Sequence, residues 1–148
     1  MVYKDKELRY ISNMITQKEI FEKYPKIFGD KDKPKTETCM CWGLCVPDSW
    51  LPIIDELCDA MTNCTYTTGV PTYDDVIQFP QVVAEQVKEK FNGLRFYYRL
   101  EYKQDEVPDA VVKQHYSYID GMVAYAENRI YRMRDEEKLA NRKEAYND

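Results

Sequence analysis

The residues best suited to chemistry lie in one short stretch, KEKFNGLRFYYR, which spans positions 88–99. From Lys88 to Lys103 the chain has five basic and two acidic residues, although its overall net charge is -5. Five aromatic residues are interleaved with these charges. Arginine can hold a phosphate through two parallel hydrogen bonds, and tyrosine rings stack on nucleobases. The stretch therefore predicts a site for an anionic, nucleotide-like small molecule.

The same stretch also has a simpler interpretation, as the solvent-exposed faces of a helix and a strand that have no binding role. Residues 94–102 alternate apolar and polar side chains, which is the period of a half-buried β-strand. Arg95, Tyr97 and Arg99 would then share the outer face of this strand. Lys88 and Lys90 would lie on the exposed face of a preceding helix. Both interpretations stay open on the sequence alone.

The remaining reactive residue types do not form a recognisable catalytic or metal-binding pattern. The chain has five cysteines: Cys39, Cys41, Cys45, Cys58 and Cys64. They lack the paired C-x2-C spacing of a zinc knuckle, and reduced thiols are expected. His115 is the single histidine and is predicted to be a surface or boundary side chain. We therefore expect no catalytic residues, no metal and no cofactor.

Composition sets further bounds on the class of protein. No run approaches the ~20 apolar residues of a membrane span, and the charged start MVYKDKELRY is not a secretory signal. The acidic balance argues against general nucleic-acid binding. A length of 148 residues favours a single domain over residues 1–148.

Four segments carry helix signals. Thr16 and Glu19 form a capping box that predicts a helix over residues 17–24. A second helix is predicted to start at Asp48 or Ser49 and to run through Met61. A third is predicted over residues 80–91, because Pro80 suits a first turn and Asn92-Gly93 reads as a C-cap. The fourth and longest opens at Pro108-Asp109.

The fourth helix carries a stripe of apolar residues spaced by four and three positions, from Val112 to Met133. We expect this stripe to pack within the chain in preference to forming a coiled coil, with self-association left open. Residues 135–148 are predicted to be a frayed or solvated helical tail. The strand over residues 94–102 needs partners, and residues 64–68 and 76–79 or a second copy are the candidates. The sequence predicts an α+β fold, a mostly helical single domain with a small antiparallel sheet and a long C-terminal helix.

Four blocks, in order, resemble a family of small proteins of tailed bacteriophages and prophages: KYPKIF at 23–28, TCMCWG at 38–43, WLPIIDELC at 50–58 and QVKEKFNGLRFYY at 86–98. The resemblance covers roughly residues 23–98, with a weaker match at 119–127. It implies a phage origin and action in the host bacterial cytoplasm. It carries no settled activity, although small phage proteins of this kind often counter host defence, for example by capturing nucleotide immune signals.

The hypothesis from the sequence is a phage anti-defence protein that binds a cyclic dinucleotide or an ADP-ribose derivative without turnover. The candidate ligand-binding residues are Lys88, Lys90, Arg95, Tyr97 and Arg99, followed by Trp42, Tyr24 and Lys26 from the matched blocks. The apolar stripe and the 13 tyrosines favour a homo-oligomer. One alternative is an inhibitor or adaptor whose acidic surface engages a host defence protein. Another is an enzyme that cleaves a nucleotide signal.

Overall fold

The computed structural model of the chain describes residues 14–67, 76–78 and 80–147. Within these residues the elements are helices α1 (Gln17–Lys23), α2 (Leu51–Asn63) and α3 (Asp109–Asn147), and strands β1 (Leu44–Cys45), β2 (Thr65–Thr67), β3 (Val76–Gln78), β4 (Gln81–Lys90) and β5 (Gly93–Glu101). Short 3-10 turns at Gly29–Asp32, Met40–Trp42 and Asp48–Trp50 complete the described backbone. This is the predicted α+β class, with a small sheet and a long C-terminal helix.

The main sheet has three strands in the order β1-β4-β5. β4 and β5 pair antiparallel over their whole length, and the two-residue β1 pairs parallel with β4. The prediction of an antiparallel sheet is therefore met by its two long strands, while β1 makes the sheet mixed. β2 and β3 form a separate antiparallel pair.

The segment predicted to be a helix over residues 80–91 is strand β4, so that prediction was wrong. Val83 and Val87 are four residues apart, as on one face of a helix, but the pairing register shifts between Ala84 and Gln86, so Val83 lies opposite Arg99 and Val87 opposite Phe96, on different faces of the sheet. A bulge inserts one residue and breaks the two-residue period of a strand. Pairing with β5 then outweighs the high helix propensity of the alanine, glutamate, glutamine and lysine in this segment.

The residues taken for a helix C-cap are instead the turn of a β-hairpin. Phe91 and Asn92 both have positive φ angles, 52° and 64°, and Gly93 already pairs with Lys90. Two successive residues with positive φ are typical of the type I′ turn, whose twist matches that of the strands it joins. The partner of β5 is therefore β4, and the predicted partner segments β2 and β3 pair with each other.

α1 begins as the sequence predicts and is tied to the sheet by one side chain. The Thr16 hydroxyl accepts a hydrogen bond from the Glu19 N–H, and the capping box is present. The Gln17 amide both donates to the Leu44 carbonyl, at 2.7 Å, and accepts from the Leu44 N–H, at 3.1 Å. Gly43 has a φ of 73°, and a Cβ there would lie 3.1 Å from the Gln17 amide oxygen.

α2 begins later than predicted. Asp48 lies in the 3-10 turn that leads into it, and Trp50 occupies the N-cap, where its side chain makes no capping hydrogen bond. The prediction that Asp48 or Ser49 caps this helix was therefore wrong. Its apolar face, which includes Ile54 and Cys58, is buried as the spacing predicts.

The apolar stripe of α3 is used within the chain. Ile119, Val123, Ala126 and Ile130 are buried in the core cluster, against α2 and the inner face of β5. α3 runs on to Asn147, and its residues 135–142 are exposed. The stripe therefore does not itself argue for association between chains.

One core joins the inner face of the sheet to the helices. β4 contributes Val82 and Val87, β5 contributes Leu94 and Phe96, and Phe28 after α1 is fully buried. Among the described residues, no helix is apolar over enough of its length to cross a membrane.

Candidate functional site on the outer face of the hairpin

The outer face of the β4–β5 hairpin carries four of the eight candidate residues. Side chains alternate along β5, so Leu94, Phe96, Tyr98 and Leu100 face the core, whereas the alternate residues point away from it. The outer positions of β5 are Arg95, Tyr97, Arg99 and Glu101. The residues opposite them on β4 are Lys88, Gln86, Val83 and Gln81. The sequence prediction of a shared outer face for Arg95, Tyr97 and Arg99 is confirmed.

At one end of this face Arg99 is held by acidic residues. Its guanidinium donates to both oxygens of the Asp30 carboxylate, at 2.6 and 3.1 Å, and to Glu101 at 3.0 Å. Asp30 is nearly buried and also pairs with Lys33 at 2.9 Å. The hydrogen bonds from Arg99 lower the pKa of Asp30 to about 2. Arg99 is therefore already engaged, and it positions the 3-10 turn Gly29–Asp32 against β4.

At the other end of the face, Arg95 and Lys88 lie directly opposite each other. Both are half-buried, and no ion pair among the described residues involves either of them. The Arg95 guanidinium donates only to the neighbouring Leu94 carbonyl, at 3.2 Å, among the described hydrogen bonds. Cys45 of β1 is next to Lys88 in the sheet. Arg95 and Lys88 are therefore two adjacent cations with no carboxylate between them.

Tyr97 lies between these two ends, with 44% of the residue exposed. It faces Gln86 across the hairpin and lines a cavity of about 640 Å³ that continues toward Arg99. The cavity wall includes three acidic residues, Asp30, Glu37 and Glu85, and the basic residues Lys35 and Arg99. Carboxylates at this end disfavour a phosphate, whereas the Arg95–Lys88 end favours one.

Lys90 and Trp42 lie at the margins of this surface. Lys90 is exposed at the end of β4, where its ammonium lies 5.7 Å from the centre of the Phe91 ring. Trp42 ends a 3-10 turn just before β1, and 68% of it is exposed. Neither residue lines the cavity beside Tyr97.

Tyr24 and Lys26 lie elsewhere. Both line a different cavity, of about 470 Å³, between the end of α1 and the start of β4. Tyr24 is buried, and its hydroxyl donates to the Asp55 carboxylate at 2.7 Å. Burial and this bond raise the pKa of Tyr24 to about 12. The structure therefore gives Tyr24 a structural role at the α1–α2 contact.

The sequence interpretation of the histidine was wrong. His115 is buried, with only 1% of the residue exposed, and burial lowers its pKa to about 4. Its imidazole is therefore neutral at pH 7. All five cysteines are free thiols, and burial raises the pKa of Cys58, the most buried of them. No group of three or more His, Cys, Asp or Glu residues that could hold a metal ion occurs in the described part of the chain.

A second surface was missed by sequence reasoning. α2 and α3 enclose an apolar groove of about 430 Å³, whose walls include Ile53, Leu57 and Met122. Tyr118 and Tyr125 line it with 46% and 67% of each residue exposed. The groove is a product of how the two helices cross, so no local motif could have indicated it.

Comparison of the chain with protein-family models, curated proteins and solved structures found no match.

Proposed function

We propose that the protein binds a nucleotide-derived signal on the outer face of the β4–β5 hairpin and sequesters it without turnover. The observation that carries this proposal is the exposed Tyr97 ring beside Arg95 and Lys88, two cations that no carboxylate neutralises within the described residues. A phosphate would bind to Arg95 and Lys88, and a base would stack on Tyr97. Arg99 supports the face without contacting the phosphate.

The resemblance to phage proteins gives this proposal its biological setting. The ligand class would be a cyclic dinucleotide or an ADP-ribose derivative used in bacterial immunity. The protein would act as an anti-defence protein of a phage, in the host bacterial cytoplasm. Self-association stays part of the proposal, although the α3 stripe no longer supports it.

Isothermal titration calorimetry against a panel of cyclic dinucleotides and cyclised ADP-ribose derivatives tests the proposal. We expect at least one to bind, and Tyr97→Ala or Arg95→Ala to weaken its binding by about ten- to a hundredfold, the range for one stacked base or one charge-assisted hydrogen bond. Tyr131→Ala and Arg132→Ala are matched controls, since both residues are exposed on α3. If no member of the panel binds, or the controls weaken binding equally, the proposal fails.

Mass spectrometry of each nucleotide after incubation separates sequestration from cleavage. An unchanged mass supports binding without turnover. A hydrolysed product would favour the enzyme alternative.

The groove between α2 and α3 supports a second candidate function, an inhibitor or adaptor that binds a host defence protein. Exposed tyrosines around an apolar groove are typical of protein-binding surfaces. The acidic face of α2 supports this function less, because Asp55 pairs with Lys23 and Glu56 pairs with Arg129.

A substitution in the groove distinguishes this candidate. A Cβ added at Gly121 meets nothing within 4 Å, so Gly121→Arg would obstruct the groove without a backbone clash. We expect a host partner captured at one-to-one stoichiometry by the wild type to be lost in Gly121→Arg and kept in Ala124→Arg, at another exposed position of α3. Equal capture by both variants would exclude the groove as the site.

A further inference from the structure

β5 is an edge strand whose second edge faces away from β4. The sheet order is β1-β4-β5, and no strand lies on the far side of β5 among the residues that the structure describes. This edge runs for nine residues, Gly93–Glu101. Exposed edges of this length are templates for pairing with another strand.

The backbone groups that face outward belong to the even-numbered residues of β5. The Leu100 N–H donates to the Tyr116 hydroxyl at 3.4 Å, and the Leu94 carbonyl accepts from the Arg95 guanidinium at 3.2 Å. These two backbone groups therefore point away from β4. In an antiparallel pair the backbone groups of alternate residues point to opposite sides. Phe96 and Tyr98 therefore also direct their N–H and C=O groups to the free edge.

We propose that this edge pairs antiparallel with the same edge of a second copy of the chain, about a twofold axis at Tyr98. The two three-stranded sheets then form one continuous six-stranded sheet. Tyr98 would exchange two hydrogen bonds with Tyr98 of the second copy, and Phe96 would pair with Leu100. The Leu100 N–H would exchange its long bond to Tyr116 for this partner.

Charge selects this register over its neighbours. With the axis at Tyr98, Arg95 lies opposite Glu101 of the second copy, and Tyr97 lies opposite Arg99. Opposite charges and a cation beside an aromatic ring are both favourable cross-strand pairs. These are also the non-hydrogen-bonded positions, where facing side chains approach most closely.

The adjacent registers lack this complementarity or pair fewer residues. An axis at Leu100 would place Arg99 opposite Glu101 of the second copy, but it would pair only residues 99–101 of each β5. An axis at Tyr97 would place Arg95 opposite Arg99, and an axis at Arg99 would place the two copies of Arg99 against each other. Like charges directly opposite each other destabilise a strand pair. An axis at Phe96 creates no pair of opposite charges. It also places the end of one β5 strand opposite the hairpin turn of the other chain, where it has no strand to pair with.

This dimer would join the two outer faces into one surface. Two copies of Tyr97 would lie on a diagonal, about 7–8 Å apart, with Arg95 and Lys88 of each chain on either side. The surface would then be twofold symmetric. Because Arg95 faces Glu101 of the second copy, Lys88 of each chain would be the cation left to hold a phosphate beside each Tyr97, and one ligand that carries two bases and two phosphates would suit this arrangement. This last consequence rests on the proposed function, whereas the dimer itself does not.

Sedimentation equilibrium without ligand tests the dimer. We expect the wild type to be a dimer, and both Arg95→Glu and Glu101→Arg to raise its dissociation constant about tenfold or more, since each single change places like charges opposite each other. The double variant should restore the wild-type constant, because it exchanges the two charges. Arg132→Glu on α3 controls for the change in net charge. Circular dichroism verifies that each variant is folded.

Amide hydrogen exchange provides an independent measurement on the wild type. The amides of Phe96 and Tyr98 should exchange more slowly as the protein concentration rises through the dissociation constant. A wild type that stays monomeric, or single variants that associate as well as the double variant, would overturn the proposal. Calorimetric failure with every nucleotide would leave these results unchanged, so the two proposals fail separately.

Discussion

Arg95 and Arg99 occupy the same face of the same strand, four residues apart, yet their surroundings differ completely. Arg99 donates to both oxygens of Asp30 and also to Glu101. Arg95 faces Lys88 and has no ion pair among the described residues. A guanidinium with its hydrogen bonds satisfied stabilises the fold, whereas one beside a second cation is available to an anionic ligand. Position on a strand therefore does not determine the role of an arginine; its neighbours across the fold do.

The largest effect on the free energy of unfolding is expected when Arg99 is replaced. Arg99→Met removes the main partner of the nearly buried Asp30 carboxylate and leaves only Lys33. We expect the free energy of unfolding in urea to fall by about 2–3 kcal/mol, less than for a fully buried pair because the Arg99 side chain remains 33% exposed. A loss within experimental error would show that the Asp30 pair contributes nothing.

A smaller effect should appear when Asp30 itself is changed. Asp30→Asn leaves Arg99 with Glu101, so we expect a loss of about 1–2 kcal/mol at neutral pH. Because folding lowers the pKa of Asp30 from 3.8 to about 2, its contribution is fully present above pH 3.8 and is lost as the pH falls toward 2. The stability difference between wild type and Asp30→Asn should therefore shrink over this interval.

The urea midpoint measured at several pH values checks this prediction. Asp32→Asn is the control, because its carboxylate is 83% exposed and pairs only with Lys31 among the described residues. A difference between wild type and Asp30→Asn that stays constant from pH 4 to pH 2 would contradict the assignment.

The smallest effect on stability is expected at Arg95. Arg95→Met removes no described ion pair within the chain and keeps most of the side-chain volume, so the free energy of unfolding of the monomer should change by no more than about 0.5 kcal/mol. Thermal and urea unfolding beside Arg99→Met provide the measurement. If Arg95→Met proves as destabilising as Arg99→Met, the two arginines have the same structural role, and the proposed difference between them is wrong.

The periodicity of β5 was readable from the sequence because each of its residues keeps the two-residue alternation of a strand. The α3 stripe and the capping box at Thr16 could also be read from the sequence. β4 was misread because Val83 and Val87 are four residues apart, a spacing that fits one face of a helix, whereas the bulge between Ala84 and Gln86 places them on opposite faces of the sheet. Its composition gave no contrary signal, since strand pairing is a long-range effect that propensity does not contain.

Candidate site residues could be predicted where they share one local element. Arg95, Tyr97 and Arg99 follow from alternation alone, and Lys88 joins them through the hairpin. Asp30 could not be foreseen, since it lies 69 residues from Arg99 in sequence. Tyr24 was misplaced for a related reason: its partner Asp55, 31 residues away, becomes a neighbour only when α1 packs on α2.

The two-residue turn at Phe91-Asn92 also has a consequence for the order of folding. Hairpin contacts are local and form within microseconds, whereas joining Asp30 to Arg99 requires closure of a long loop. Arg95, Tyr97 and Lys88 should therefore come together in the folding transition state, before the acidic turn arrives at Arg99. Stopped-flow refolding would show this as a folding rate that Asn92→Ala slows and an unfolding rate that Asp30→Asn accelerates.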